Sequence, residues 1–194
     1  MQLKTIVPPA DIKGFEELYL VMPTMSFDLH QAIRMCDPMS KAQLQDMTSQ
    51  LLHALAFMHQ AGIVHRDLKP GNLMVNFDCD LMVADFGLAK LIDSSIGTEG
   101  DLTDYVVTRW FRPPELMLKY QAKDYDSKID MWSVGCILAE MFLRKVLFQS
   151  KDATEQAKVF IKLLGMPPLT VVEKINDQSV LSFLKREAKK HAKS

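Results

Sequence analysis

The chain has 194 residues, 48% of them hydrophobic and 24% charged, with a formal net charge of -1. That length suits one domain or one large lobe with its own core, and the near-zero charge supplies no global field drawing the protein to nucleic acid or an anionic membrane surface. No apolar run reaches the ~18 residues that a membrane span needs, the N-terminus lacks the apolar core of a signal peptide, and Cys36, Cys79 and Cys136 stand apart without metal-ligand spacing, so the expectation is a reduced, cytoplasmic or nuclear protein.

Taken in chain order, residues 3–7 and Leu18–Met22 are apolar, β-prone runs stopped by Pro8-Pro9 and Pro23, and they predict two short strands. Two strands make a marginal sheet, so this end reads as a remnant of something larger. A first helix is expected over Phe27–Arg34. Ser40 opens a second, with Gln43 completing a capping box. Leu44, Met47, Leu51, Leu52, Leu55 and Met58 recur at helical spacing and give that helix one broad apolar face, and Ala61-Gly62 is a left-handed stop.

A polar loop, His65–Asn72, follows, and Pro70 within it biases Lys69 away from helical geometry. Leu73–Val75 and Leu81–Val83 read as a hairpin. Residues 85–115 carry no periodicity, and a connection that long is usually functional or mobile. From about Ile129 an almost uniformly apolar helix is expected to be central and buried. Another spans Ala153–Leu164, and a short one Val180–Ala188 precedes a basic end.

The loops carry the chemistry. Asp67 and Lys69 stand two positions apart and can face one centre. Asn72 adds an oxygen donor, and Asp85 supplies a second acid before Phe86-Gly87. An aspartate and an asparagine, both hard oxygen donors, suit Mg²⁺. A lysine beside them suits a phosphate. Asp67 is then available to accept a proton from an attacking hydroxyl.

His65-Arg66-Asp67-Leu68-Lys69-Pro70-Gly71-Asn72, Asp85-Phe86-Gly87, Pro113-Pro114-Glu115 and Asp130-Met131-Trp132-Ser133-Val134-Gly135 together resemble, in order, the catalytic loop, metal loop, activation-segment end and central helix of a eukaryotic protein kinase. The resemblance runs from about residue 3 to about residue 184. Lys69 is of the serine/threonine type. Thr103-Asp104-Tyr105 and Val106-Val107-Thr108-Arg109-Trp110-Phe111-Arg112 are similar to the dual-phosphorylation motif and following segment of the mitogen-activated protein kinase subfamily. The fold class implied is protein-kinase-like (α+β): a mainly α C-terminal lobe (26–184), a hinge and two-strand remnant of the N-terminal lobe (1–25), and a basic tail (185–194).

The resemblance also implies roles. Asp67 orients and deprotonates the substrate hydroxyl, Lys69 steadies the transferring phosphate, and Thr108 bonds toward both. Asn72 and Asp85 hold Mg²⁺. Thr103 and Tyr105 are the phosphorylation sites, with Arg66, Arg109 and Arg112 receiving their phosphates. Met22 is at the gatekeeper position. ATP is expected at the Pro23 carbonyl and Met25 amide, with Asp28 toward the ribose and Met74 beneath the base. The implied partners are protein substrates with Ser/Thr-Pro sites and an upstream dual-specificity kinase, with neither nucleic acid nor membrane.

The sequence also departs from the family. Before Pro23 the only glycine is Gly14, and neither Lys4 nor Lys13 has the context of the phosphate-clamping strand lysine. Pro113 stands where the family usually has alanine. The arginine that would pair Glu115, and the acidic docking patch of the family's C-terminal end, are not found. The resemblance therefore implies a serine/threonine kinase in a MAP-kinase cascade that is inactive or weak as these 194 residues. The alternative is a non-catalytic kinase-fragment module that docks activators or substrates.

Overall fold

The computed structural model describes residues 3–9, 11–92, 109–117, 126–175 and 177–191. The two N-terminal runs form strands β1 (Thr5–Val7) and β2 (Tyr19–Val21), paired antiparallel with Ile6 opposite Leu20. Their side chains are exposed on both faces, so the pairing is held by backbone bonds without a buried face.

The first helix begins later than its periodicity suggests. Phe27–Asp28 are strand β3, and α1 covers Leu29–Met35. Asp28 is the cap: its Oδ1 accepts the Gln31 amide at 2.7 Å, and Gln31 Oε1 accepts the Asp28 amide at 3.1 Å. Two otherwise orphaned donors are satisfied, which fixes the start. The same device opens α2 (Lys41–Gln60) at Ser40 and Gln43, as the sequence predicts. Gly62, at φ +73°, turns the chain out of α2 into β4 (Ile63–Val64).

Strands β5 (Leu73–Val75) and β6 (Leu81–Val83) form the expected hairpin, with Met74 opposite Met82, and β3 adds to its edge. Asn76 organises the turn by accepting the amides of Asp78 and Asp80 on Oδ1. Gln50 of α2 ties the hairpin down, accepting the Leu81 amide at 2.7 Å and donating to the Cys79 carbonyl at 3.1 Å. Strand β7 (Lys90–Leu91) pairs back on β4.

The remaining helices are α3 (Pro114–Met117), α4 (Lys128–Leu143), α5 (Ala153–Leu164), α6 (Leu169–Val172) and α7 (Gln178–His191). The main core joins α1, α2, the hairpin and α4 through Leu29, Leu51, Leu55, Leu73, Val83 and Ile137. Trp132 stacks on Phe148, and Phe160 meets both edge-on, which anchors α5 to α4. A smaller cluster of Ile161, Ile175 and Leu184 seats α7. α7 is longer than the expected Val180–Ala188. No helix of the described residues is long and apolar enough to cross a membrane.

Two expectations of burial fail. Leu52 was assigned to the core face of α2 and is 39% exposed; α4, expected to be buried all round, leaves Leu138 exposed and Phe142 73% exposed. The cause is geometric. α2 and α4 cross with their core stripes together, and the flanks beyond the crossing form an apolar groove of about 870 Å³ that includes Leu44, Leu52, Leu138 and Phe142. Periodicity marks an apolar residue but does not say which neighbour covers it.

The cysteines divide by burial. Cys36 is exposed, whereas desolvation, aided by the nearby Glu140 charge, pushes the buried Cys136 thiol up to about 12. In native protein at mildly alkaline pH, a thiol reagent is expected to label Cys36 rapidly and Cys136 only after unfolding. Because the folded value is raised, the stabilising contribution is complete below the unfolded thiol range near pH ~8.5. It fades as pH rises toward that of the buried thiol, and chemical denaturation across this range checks it. Fast labelling of Cys136 in folded protein would contradict the burial.

Candidate active site

The site is built on an acid in an apolar helix. Asp130, in the first turn of α4, is 1% exposed. Its Oδ2 accepts the His65 amide at 2.9 Å and the His59 imidazole Nε2 at 2.8 Å, and its Oδ1 accepts the Arg66 amide at 2.9 Å. A buried carboxylate is tolerable only with such partners. Here two of the partners are backbone amides of the His65–Asn72 loop, which places that loop on α4. The bonds also hold Arg66 at φ +70°, a conformation that costs a non-glycine residue about 1–2 kcal/mol.

His65 continues the frame. It is fully buried. Its Nε2 donates to the Ala84 carbonyl at 2.9 Å and its Nδ1 accepts the Asp67 amide at 3.3 Å. A carbonyl can only accept and an amide N–H can only donate, so the proton sits on Nε2. The Ala84 amide in turn donates to the Asn72 carbonyl at 2.9 Å. Ala84 is thus gripped by His65 on one side and Asn72 on the other, which sets Asp85 beside Asn72.

Leu68 and Pro70 are buried while Asp67 and Lys69 are only partly so. Alternation around the sunken Leu68 turns the acid and the lysine to the same side. Lys69 Nζ meets Asp67 Oδ2 at 2.8 Å. Asn72 Nδ2 donates to the same oxygen at 3.0 Å and to the Asp67 carbonyl at 2.8 Å. With Oδ2 so occupied, Oδ1 has no partner among the described residues and can accept an incoming proton. Both Asn72 donors face Asp67, so its Oδ1 points elsewhere and can serve as a ligand.

Asp85 is exposed and left-handed, at φ +59°, with its carboxylate accepting the Gly87 amide at 3.3 Å. The Phe86 ring lies 5.3 Å from that of His65. One carboxylate and one amide oxygen on adjacent segments fit Mg²⁺, which keeps several waters and shares its remaining positions with substrate phosphates. No denser group of three or more His, Cys, Asp and Glu side chains suited to a metal occurs among the described residues.

Other predicted positions fall as follows. Asp28 and Met74 are register partners in β3 and β5, and Ser26 bonds to Val75, so Pro23 and Met25 lead into the mouth of the site. One Asp28 oxygen is already used in capping α1. Arg66 and Arg112 line one small crevice with Asp67 and Leu68, and the Arg112 amide bonds to the Arg109 carbonyl. Thr103, Tyr105 and Thr108 lie outside the described residues. Glu115 is only partly buried, so solvent can reach its charge.

Sequence reading missed the supports. His59 looked like one more residue of α2, and Asp130 and Ser133 like part of a motif. Ser133 Oγ bonds the carbonyls of Phe111 (2.8 Å) and Ile129 (3.2 Å), and Trp110 Nε1 donates to the Ser150 carbonyl at 2.7 Å, so α4 positions the segment after residue 108 as well. The available signal was a buried-pattern acid, Asp130, in an apolar helix, which demands partners. Glu140, almost three turns further along, was not singled out. Burial pushes its carboxyl up, opposed in part by Arg34.

Residues 5–193 match the family model described as protein kinase domain. The chain is 43% identical over 180 residues to mitogen-activated protein kinase spk1 of Schizosaccharomyces pombe, covering 93% of this chain and 48% of that protein. It is 42% identical over 182 residues to human mitogen-activated protein kinase 13, covering 94% and 47%. It is 43% identical over 184 residues to mitogen-activated protein kinase 4 of Oryza sativa subsp. japonica, covering 94% and 48%. The chain spans about half the length of these curated relatives.

Replacing Asp130 with alanine leaves the His65 and Arg66 amides buried without their acceptor, at an expected cost of roughly 3–5 kcal/mol. His59→Ala removes one of the three bonds and should cost less. Urea denaturation of both variants measures this. Equal, small losses would mean that the loop is held by something other than Asp130.

Proposed function

The chain belongs to the protein kinase family, and on that premise we propose that it carries the catalytic lobe of a serine/threonine kinase of mitogen-activated protein kinase type. The reaction is transfer of the ATP γ-phosphate to a Ser or Thr hydroxyl, proline-directed, within a signalling cascade in the cytoplasm or nucleus. The observation that carries this reading is the Asp67–Lys69–Asn72 constellation. One carboxylate has an oxygen fixed by an ammonium and an amide, while its other oxygen has no partner among the described residues.

Each group has a task. Asp67 Oδ1 accepts the proton of the substrate hydroxyl, and the two bonds to Oδ2 hold the carboxylate in the required orientation. Lys69 keeps a positive charge beside the place where phosphate charge develops. Asn72 Oδ1 and Asp85 would hold Mg²⁺, which would offset the charge of the phosphoryl group that ATP supplies. Pro23 and Met25 offer backbone groups to the adenine, with Met74 below it. Thr108 would bond toward Asp67 and Lys69. Phosphates placed on Thr103 and Tyr105 by an upstream dual-specificity kinase would pair with Arg66, Arg109 and Arg112.

The 194 residues hold no Gly-rich run ahead of Pro23 and no strand lysine of the phosphate-clamping kind. Transfer in this family depends on positioning by those parts, so these residues alone should turn over slowly. The apolar side chains exposed on β2 and along the α2–α4 groove favour a second reading, a module that docks other proteins without transferring phosphate.

The two readings separate in one experiment. The purified chain is incubated with Mg-ATP and a Ser-Pro peptide, beside Asp67→Asn. The kinase reading expects slow incorporation that falls by about a hundredfold or more in the variant, and a rise in melting temperature with Mg-ATP. Incorporation indifferent to Asp67, or no thermal shift at millimolar nucleotide, would overturn it. Turnover matching that of a relative of twice the length would overturn the expected weakness.

A further inference from the structure

None of the residues lining the apolar groove between α2 and α4, a space of about 870 Å³, belongs to the transfer site. The α2 wall is a ridge of Leu44, Thr48, Leu52 and Ala56, each four positions from the last. The α2 residues bordering the groove run from Lys41 to Ala56, a length of about 22 Å. On α4, Met131, Gly135, Leu138 and Phe142 recur at helical spacing, and all are exposed. A continuous exposed apolar face of this kind marks a contact with another molecule.

Gly135 indicates the shape of that molecule. A Cβ added there would meet nothing within 4 Å, so packing inside this chain does not call for glycine. Glycine weakens a helix interior relative to alanine. Its place on an exposed apolar face is accounted for by a second backbone lying close over α4. A groove between two helices, with a small residue in one wall, fits a third helix. Apolar side chains at i, i+4, i+7 and i+11 of that helix would enter between the walls.

Charge narrows the choice further. The rim carries Lys41 and Arg144, and no acid lines the groove among the described residues. Neither cation has an acidic partner among those residues. Arg144 Nη2 donates to the Cys36 carbonyl at 2.8 Å, which holds the guanidinium and leaves further N–H donors. Both cations stand at one end, where the start of α2 meets the end of α4. A second copy of this chain fits poorly. Two such grooves face to face would oppose basic rims with no acid on either side. The α7 helix of a second copy fits no better: Leu184 is committed to Ile161 and Ile175, and the exposed Lys185, Arg186 and Lys189 would repel the rim.

We infer that the groove docks an acidic amphipathic helix of a partner protein, with its apolar stripe between α2 and α4 and its carboxylates on Lys41 and Arg144. The inference rests on the docking reading given above and deepens it by naming the partner's chemistry. It takes from that reading only that the groove binds protein, so it holds with or without phosphate transfer.

The experiment compares two labelled helical peptides of about fifteen residues. Both have leucines at i, i+4, i+7 and i+11; one carries glutamates at its polar positions and the other lysines. Fluorescence anisotropy at low salt reads their affinity for the purified chain. The glutamate peptide should bind roughly tenfold more tightly, and its advantage should shrink as salt is raised. Lys41→Glu should remove most of that advantage, and Phe142→Ser should weaken the glutamate peptide about tenfold. Both side chains are exposed, and circular dichroism melts verify the fold of each variant. No binding of the glutamate peptide, or an affinity unchanged in Phe142→Ser, would overturn the inference. Equal binding of the two peptides would overturn it while leaving a docking groove. A dimer in sedimentation that Phe142→Ser dissolves would assign the groove to a second copy and overturn it as well. Phosphate transfer from Mg-ATP to the Ser-Pro peptide is measured on the same samples. Transfer without helix binding sinks the inference and leaves the kinase reading standing, and helix binding without transfer does the reverse.

Discussion

The constraint on which the rest depends is the buried carboxylate of Asp130. Within an apolar helix it would be a liability without partners. It is made tolerable by two backbone amides and an imidazole from two other parts of the chain. The arrangement works both ways. The acid needs the amides of His65 and Arg66, and the loop needs the acid, because Arg66 adopts a left-handed conformation that it would not adopt unaided. The most regular element of the protein, α4, thus sets the position of its least regular one.

From that anchor the site assembles through short-range bonds. His65 reaches Ala84, Ala84 reaches Asn72, and Asn72 reaches Asp67. Each step spans one hydrogen bond, so Asp67 and the two oxygen donors, Asn72 and Asp85, are held in register without a long sheet. Strands of two or three residues suffice because side chains and helices, more than strand pairing, do the fixing. The same helix carries a second buried acid, Glu140, almost three turns on.

The exposed apolar surface belongs to the same account. The β1–β2 hairpin and the outer flanks of α2 and α4 present side chains that a closed domain would cover. Surfaces of this kind mark contact with other protein and carry an aggregation hazard when bare.

The sequence alone determined most of the elements and the order of the polar motifs. Capping residues Ser40 and Gln43, the stop at Gly62, the hairpin around Asn76 and the order of the polar motifs are local signals, each resolved within a few residues by backbone hydrogen bonding or allowed dihedrals. The candidate set Asp67, Lys69, Asn72 and Asp85 stands out in the sequence for the same reason: it is dense, and its residue types have few other uses together. Tertiary structure decided the supports and the coverage. That His59 and Asp130, 71 positions apart, share a proton contact, that Leu52 and Phe142 face outward, and that Glu140 lies buried beside Lys69 all depend on how α2 and α4 cross. Periodicity gives each helix an apolar stripe, but the burial of a given side chain is a property of the neighbour it meets, and that neighbour is distant in the sequence.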